Sequence, residues 1–314
     1  MLAEAGEWLP DSLLEHLEEL EPLWARRLVV WRSADYDLPA LARLDERIEA
    51  NLDALGLAGE EAAPLLRAGL KARSKPAVLS AALGLLRGGD AGAALCVAAL
   101  SKSKGPARSG LTYALAFAHP PGQVLPLEQI ARDGAPAAAA AALYALAFQA
   151  RPTSAERLVE LVSHPASGVR KRAWGAVALL GWQGLHAPGK EALRLALFDR
   201  MVKGLSDPLP AVSEAAGVAA AFIRHPSLRP LLRERCGAAP PFGGLLRLLA
   251  TVGKPEDLPV LVAAAERLQP PGGPVTLRGL EATAPNHLAQ RWEQRLRGAY
   301  EGTWKGTRAE LERA

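Results

Sequence analysis

A short signature returns along this chain at a nearly constant interval, and that periodicity limits the folds open to it. Proline followed by small or apolar residues opens Pro76-Ala77-Val78, Pro106-Ala107-Arg108 and Pro136-Ala137-Ala138 at spacings of 30 residues, and Ser167-Gly168-Val169 follows 31 later. A step of 43 leads to Pro210-Ala211-Val212, one of 30 to Pro240-Pro241-Phe242 and one of 34 to Pro274-Val275-Thr276. Each start opens a helical pattern: Val78, Ala81, Ala82, Leu85 and Leu86 recur three and four residues apart, as one buried stripe requires. Proline suits the first turn, because its fixed φ is helical and no hydrogen bond is lost there. The residues ahead of each start supply a first helix, for example Glu60 to Lys71 and Ala192 to Leu205. A helix pair of this size cannot bury its apolar face alone, so neighbours must stack. The expectation is an all-α fold: an α-solenoid of about seven helix pairs.

Composition agrees with helices. Apolar residues make up 49 % but aromatics only 5 %, and alanine and leucine replace the β-branched and aromatic residues that strands draw on. The core material excludes an intrinsically disordered chain. A stretch without charge, Ser109 to Leu127, is broken by Pro120-Pro121-Gly122, which argues against a membrane span. The start, Met1-Leu2-Ala3-Glu4, lacks the basic then apolar pattern of a secretory signal, so a cytoplasmic location is expected.

Charge is divided unevenly. Residues 1 to 61 hold 15 acidic and 5 basic side chains, although the whole chain is +4. Two amphipathic helices, at residues 12 to 32 and 38 to 55, fit an acidic cap with a polar outer face. The expected organisation is therefore an N-terminal acidic helical cap at 1–58, a repeat array at 59–284 and a C-terminal helical cap or tail at 285–314. The long step around Gln183 to Lys190 is expected to be an extended loop, and Thr153 with Glu156 fits a capping box.

Asp207-Pro208-Leu209-Pro210-Ala211-Val212, followed by Glu214-Ala215-Ala216, resembles the start of the second helix in HEAT repeats, and His164-Pro165 to Ala176 looks like another copy. The short period is closer to the HEAT-like repeats named after phycobilisome lyases, so the array reads as about seven HEAT-like pairs. His16-Leu17-Glu18-Glu19, Leu23-Trp24, Leu41 to Leu55 and Ala58-Gly59-Glu60 resemble a proteobacterial family of conserved hypothetical HEAT-repeat proteins. Its members are often encoded near type VI secretion components, PAAR-like spike proteins and polymorphic toxins. The resemblance implies an adaptor, chaperone or immunity role. The family usually has His-Leu-Asp-Gly-Leu where this chain has Asn51-Leu52-Asp53-Ala54-Leu55.

Signals for chemistry are weak. Cys96 and Cys236 are too far apart for a ligand motif, and His119, His164 and His225 each precede proline, as recurring turn residues would. No nucleophile elbow is present, and the glycine pairs lack the lysine of a phosphate loop. No enzymatic activity, cofactor or metal is expected. The basic residues are more informative. Lys71, Arg73 and Lys75; Lys102, Lys104 and Arg108; and Arg170, Lys171 and Arg172 recur near the turn between paired helices, with Arg132 and Lys203 in similar places. In a solenoid those turns share one edge, so a basic stripe is expected. Trp24, Trp31 and Trp174 have core spacing, whereas Trp182, Trp292 and Trp304 are candidate exposed anchors.

Two readings follow. One is a non-catalytic scaffold that binds an effector, toxin or secretion component through its concave face and basic edge. The alternative is a nucleic-acid-binding protein that grips the phosphate backbone as a HEAT-like DNA glycosylase would.

Overall fold

The computed structural model describes residues 9–30, 37–118, 124–151, 154–186, 190–223, 225–238 and 243–268, and every regular element among them is helical. None of these helices is long and apolar enough to cross a membrane. The chain divides into two compact units, Met1–His164 and Pro165–Ala314. The first two helices pack within the first unit.

In the first unit, α1 (Leu9–Val30) and α2 (Leu38–Ala58) pack on each other. Asp37 starts α2 by accepting the Ala40 N–H at 2.7 Å, and Leu44, Ile48, Leu52 and Leu55 form its buried stripe. Seven helices follow: α3 (Ala63–Gly69), α4 (Lys75–Arg87), α5 (Asp90–Lys102), α6 (Gly105–Ala118), α7 (Val124–Asp133), α8 (Pro136–Phe148) and α9 (Ala155–Leu161). Both α1 and α2 lie against α4. The proline starts fall where the repeat predicts. Ser74 caps α4 by accepting the Ala77 N–H at 3.1 Å, and Pro76 and Pro136 occupy the first turns of α4 and α8. Ser154 caps α9 by accepting from the Arg157 N–H, so the cap sits one residue beyond the expected Thr153, which is outside the described residues.

The pairing follows the repeat: α3 packs on α4, α5 on α6 and α7 on α8, while α4, α6 and α8 lie side by side. Small residues make this approach possible. Ala138 to Ala142 are all buried in α8. At Gly110, a Cβ would stand 2.8 Å from the Lys75 carbonyl oxygen and 2.9 Å from the Leu79 amide, so α6 meets the α4 backbone where no larger residue fits.

The second unit holds α10 (Ser167–His186), α11 (Glu191–Leu205), α12 (Pro210–Phe222), α13 (Leu228–Ala238), α14 (Gly243–Val252) and α15 (Leu258–Leu268). Here α10, α12 and α14 are adjacent in turn, and α11 and α13 pack on α12 and α14. Trp174 is fully buried and its ring lies against Gly204. The extended loop expected around Gln183 is corrected: the helix resumes after a break at Gly181 (φ 59°, ψ −163°) and runs to His186. Glycine accepts that left-handed φ without the steric cost a side chain would add. The start at Pro240 lies outside the described residues, and so do the last start at Pro274 and the segment 285–314.

Candidate functional site

The basic groups do not share a common environment. Lys71, Arg73, Lys102, Lys104 and Arg132 are exposed in the first unit, Arg108 is half-buried there, and none of the six pairs with a described carboxylate. The Arg108 Nε is enclosed without an acceptor, and burial lowers the affinity of its guanidinium for the proton. Lys75 turns inward, its ammonium 3.7 Å from the centre of the Tyr113 ring.

Arg170, Lys171 and Arg172 belong to the second unit. Lys171 is exposed and Arg172 half-buried. Arg170 departs from the expected edge charge. Its Nε and Nη2 donate to Asp207 at 2.8 and 3.2 Å, and its Nη1 donates to the Pro165 carbonyl. Asp207 also accepts from the Leu209 N–H at 3.0 Å. Burial raises the proton affinity of this carboxyl, but the Arg170 and Leu209 hydrogen bonds outweigh it and hold the group below the usual carboxylate range. Arg170 is therefore part of the turn into α12. The side chain of Trp182 lies outside those described, as do Trp31, Trp292 and Trp304.

One concavity in the first unit is aromatic. Trp24, Tyr113, Phe117, Tyr144 and Phe148 line a cleft of about 630 Å³ with Leu28 and Ile48, built from α1, α2, α4, α6 and α8. Trp24 and Phe117 stack with centroids 5.7 Å apart and planes at 14°. Phe148 meets Phe117 edge-on at 5.3 Å, while Tyr113 is 5.7 Å from both Phe117 and Tyr144. Such offset and edge contacts follow the ring quadrupole and are worth about 0.5–1.5 kcal/mol each beyond area burial. In a chain with so few aromatics, five on one cleft is a concentration that packing of alanine and leucine does not require. The signal was in the sequence: Tyr113 and Phe117, like Tyr144 and Phe148, are four residues apart on a helix, and the second pair repeats the first after 31. A search for catalytic motifs passes over it.

Charges around this cleft are largely tied. Arg27 pairs with Asp45 at 2.5 Å, and Arg87 pairs with Glu49 and, at 2.9 Å, with Asp53. Arg47 pairs with Glu19 at 2.5 Å, and that hydrogen bond holds Glu19 below its ordinary value. Beneath them, His16 Nδ1 lies 2.8 Å from Asn51 Oδ1, and the Asn51 amide donates to the Arg47 carbonyl. Asn51 thus joins α1 to α2.

Among the described residues, no group of three or more His, Cys, Asp or Glu side chains is placed to hold a metal ion. Cys96 and Cys236 are buried and burial raises both thiols, to about 12 and about 11, far from a reactive thiolate. His225 is buried against Phe198 with its Nδ1 accepting from the Ser227 N–H at 3.1 Å. The arrangement offers an aromatic surface for side-chain insertion, flanked by fixed ion pairs. Compared with known proteins, the chain matches no family model and no curated protein.

Proposed function

We propose that this chain is a non-catalytic protein-binding scaffold, an α-solenoid of about seven HEAT-like helix pairs that seats a segment of a partner protein in its aromatic cleft. The observation that carries the reading is the clustering of Trp24, Tyr113, Phe117, Tyr144 and Phe148 on one concave surface. Aromatic side chains are the characteristic anchors of protein interfaces, since they offer large rigid area at small entropic cost. Rings held in contact with one another are preorganised, which reduces the ordering cost of binding. The N-terminal resemblance supplies the context, an adaptor, chaperone or immunity protein for a type VI secretion effector or toxin in the cytoplasm.

Lys71, Arg73, Lys102, Lys104, Arg108 and Arg132, which have no carboxylate partner among the described residues, favour a second reading, nucleic-acid binding. A nuclease-treated pull-down from the native host, with wild type and a Tyr144→Ala/Phe148→Ala variant in parallel, separates the two. The scaffold reading expects one stoichiometric protein retained by wild type and lost by the folded variant. Recovery of nucleic acid, or of the same proteins by both baits, argues against it.

A further inference from the structure

The second helices of the first unit run in one direction. Tyr113 faces Tyr144 and Phe117 faces Phe148, a constant offset that only parallel α6 and α8 give. Gly110, in the second turn of α6, lies against Lys75 and Leu79 in the first two turns of α4. The N-terminal ends of α4, α6 and α8 therefore share an edge, and the positive ends of three helix dipoles point to it. Lys71 and Arg73 lie in the turn before α4, Lys102 ends α5, Lys104 lies in the turn before α6, Arg108 in the first turn of α6 and Arg132 in the last turn of α7.

Arg27, Arg47, Arg87 and Arg157 of the same unit have carboxylate partners, whereas the six at this edge, like the scattered Arg43, Arg67 and Arg151, have none among the described residues; what distinguishes the six is that they gather at one edge. Arg108 sharpens the contrast, since its half-buried guanidinium has lost water without gaining an anion, and its Nε has no acceptor. A charged group left in that state carries a desolvation cost that an external carboxylate or phosphate would offset.

Edge and cleft are continuous at Lys75, the first residue of α4, whose ammonium covers Tyr113. The far wall of the cleft carries Asp45 and Glu49. Those carboxylates are paired with Arg27 and Arg87, so a phosphate chain led from the edge into the cleft finds Arg27 already engaged there and meets rings where it needs cations. A protein segment can present acid at one end and apolar side chains at the other.

We propose that the edge and the cleft together bind an acidic, amphipathic segment of a partner protein. Its carboxylates lie along Arg73, Lys102, Lys104 and Arg108, and its apolar side chains enter among Trp24, Phe117 and Phe148. This assignment rests on the scaffold reading above and adds the chemistry of the partner.

Fluorescence anisotropy with the full chain tests it, using three labelled probes: a peptide of glutamate with leucine and phenylalanine at helical spacing, polyglutamate of equal length, and single-stranded DNA. The amphipathic peptide should bind most tightly and weaken as salt rises. Lys102→Glu/Lys104→Glu, at exposed and unpaired positions that leave folding intact, should weaken it at least about tenfold, as like-charge opposition does. Arg108→Gln should also weaken it, and Phe117→Ala should reduce the preference for the amphipathic peptide over polyglutamate. No binding of the peptide, tighter binding of DNA, or affinity indifferent to the Lys102→Glu/Lys104→Glu change overturns the assignment. In the last case a continued loss on Phe117→Ala leaves the scaffold reading standing. Loss at the edge with no effect of Phe117→Ala overturns the cleft in both proposals.

Discussion

Trp24 of α1 lies nearly parallel to Phe117 of α6, with ring centroids 5.7 Å apart, so the acidic N-terminal helices are joined to the repeated pairs by an aromatic stack. Trp24 is 9 % exposed and its indole N–H has no acceptor, so the ring contributes through its faces and not through a polar bond. Phe117→Ala removes that face together with its contacts to Tyr113 and Phe148. Because Phe117 is only half-buried, the expected loss is about 2 kcal/mol, below the range for a fully buried phenylalanine. A urea titration measures it, with the slope unchanged and the midpoint lowered.

The close approach at Gly110 gives a sharper test of the packing between α4 and α6. Gly110→Ala places a methyl group against the Lys75 carbonyl and the Leu79 amide, atoms that cannot rotate away. A loss of about 1–3 kcal/mol is expected despite the better helix propensity of alanine. A variant as stable as the parent would show that the two helices sit further apart.

Arg170 and Asp207 are 16 % and 8 % exposed as side chains, and their pairing makes a different prediction from a surface charge. Arg170→Ala leaves a buried carboxylate with only the Leu209 N–H, which should cost about 3 kcal/mol. Arg170→Ala/Asp207→Ala should cost less than Arg170→Ala alone. Because the Asp207 carboxyl titrates lower in the folded chain than in the unfolded one, its contribution is full above about pH 4 and is lost as pH falls further. Melting temperatures of parent and double variant should converge in acid.

His225 acts at a higher pH. Burial lowers its proton affinity, outweighing a hydrogen bond to the Phe198 backbone that favours the charged form. The unfolded chain takes up the proton first as pH falls below about 6.5, so stability declines from there until the folded histidine also protonates. Protonation also removes the acceptor for the Ser227 N–H. His225→Gln should flatten the dependence of stability on pH between about 7 and 5, measured by denaturant titration at each pH.

The starts of the second helices were legible because their signals are local. Pro76, Pro136 and Pro210 stand in the first turns of α4, α8 and α12, where the ring costs nothing. The first helices were legible for the same reason, as their stripes lie ahead of each proline. Long-range relationships were not. Asp207 is 37 residues from Arg170, and nothing in the repeat identifies which basic residue turns inward. Gly181 does interrupt the helix with a left-handed φ, but nothing local says that a second helical stretch to His186 follows at once where a loop was expected. The aromatic cleft escaped because residues four apart on a helix signify a buried face, and whether that face is covered depends on how α1 and α2 lie over α4, α6 and α8. The recurrence of the pair after 31 residues was the local sign that aromatic side chains line up from one helix to the next.

The most direct measurement replaces Phe148, which is 39 % exposed at the mouth of the cleft, with a photo-crosslinking phenylalanine analogue. A control carries the same analogue at Leu125 on α7, 76 % exposed and absent from the cleft lining. Irradiated in the native host, the Phe148 position is predicted to trap one protein whose capture disappears with Phe117→Ala. Crosslinking from Leu125 but not from Phe148, or capture indifferent to Phe117→Ala, would contradict a partner seated among these rings.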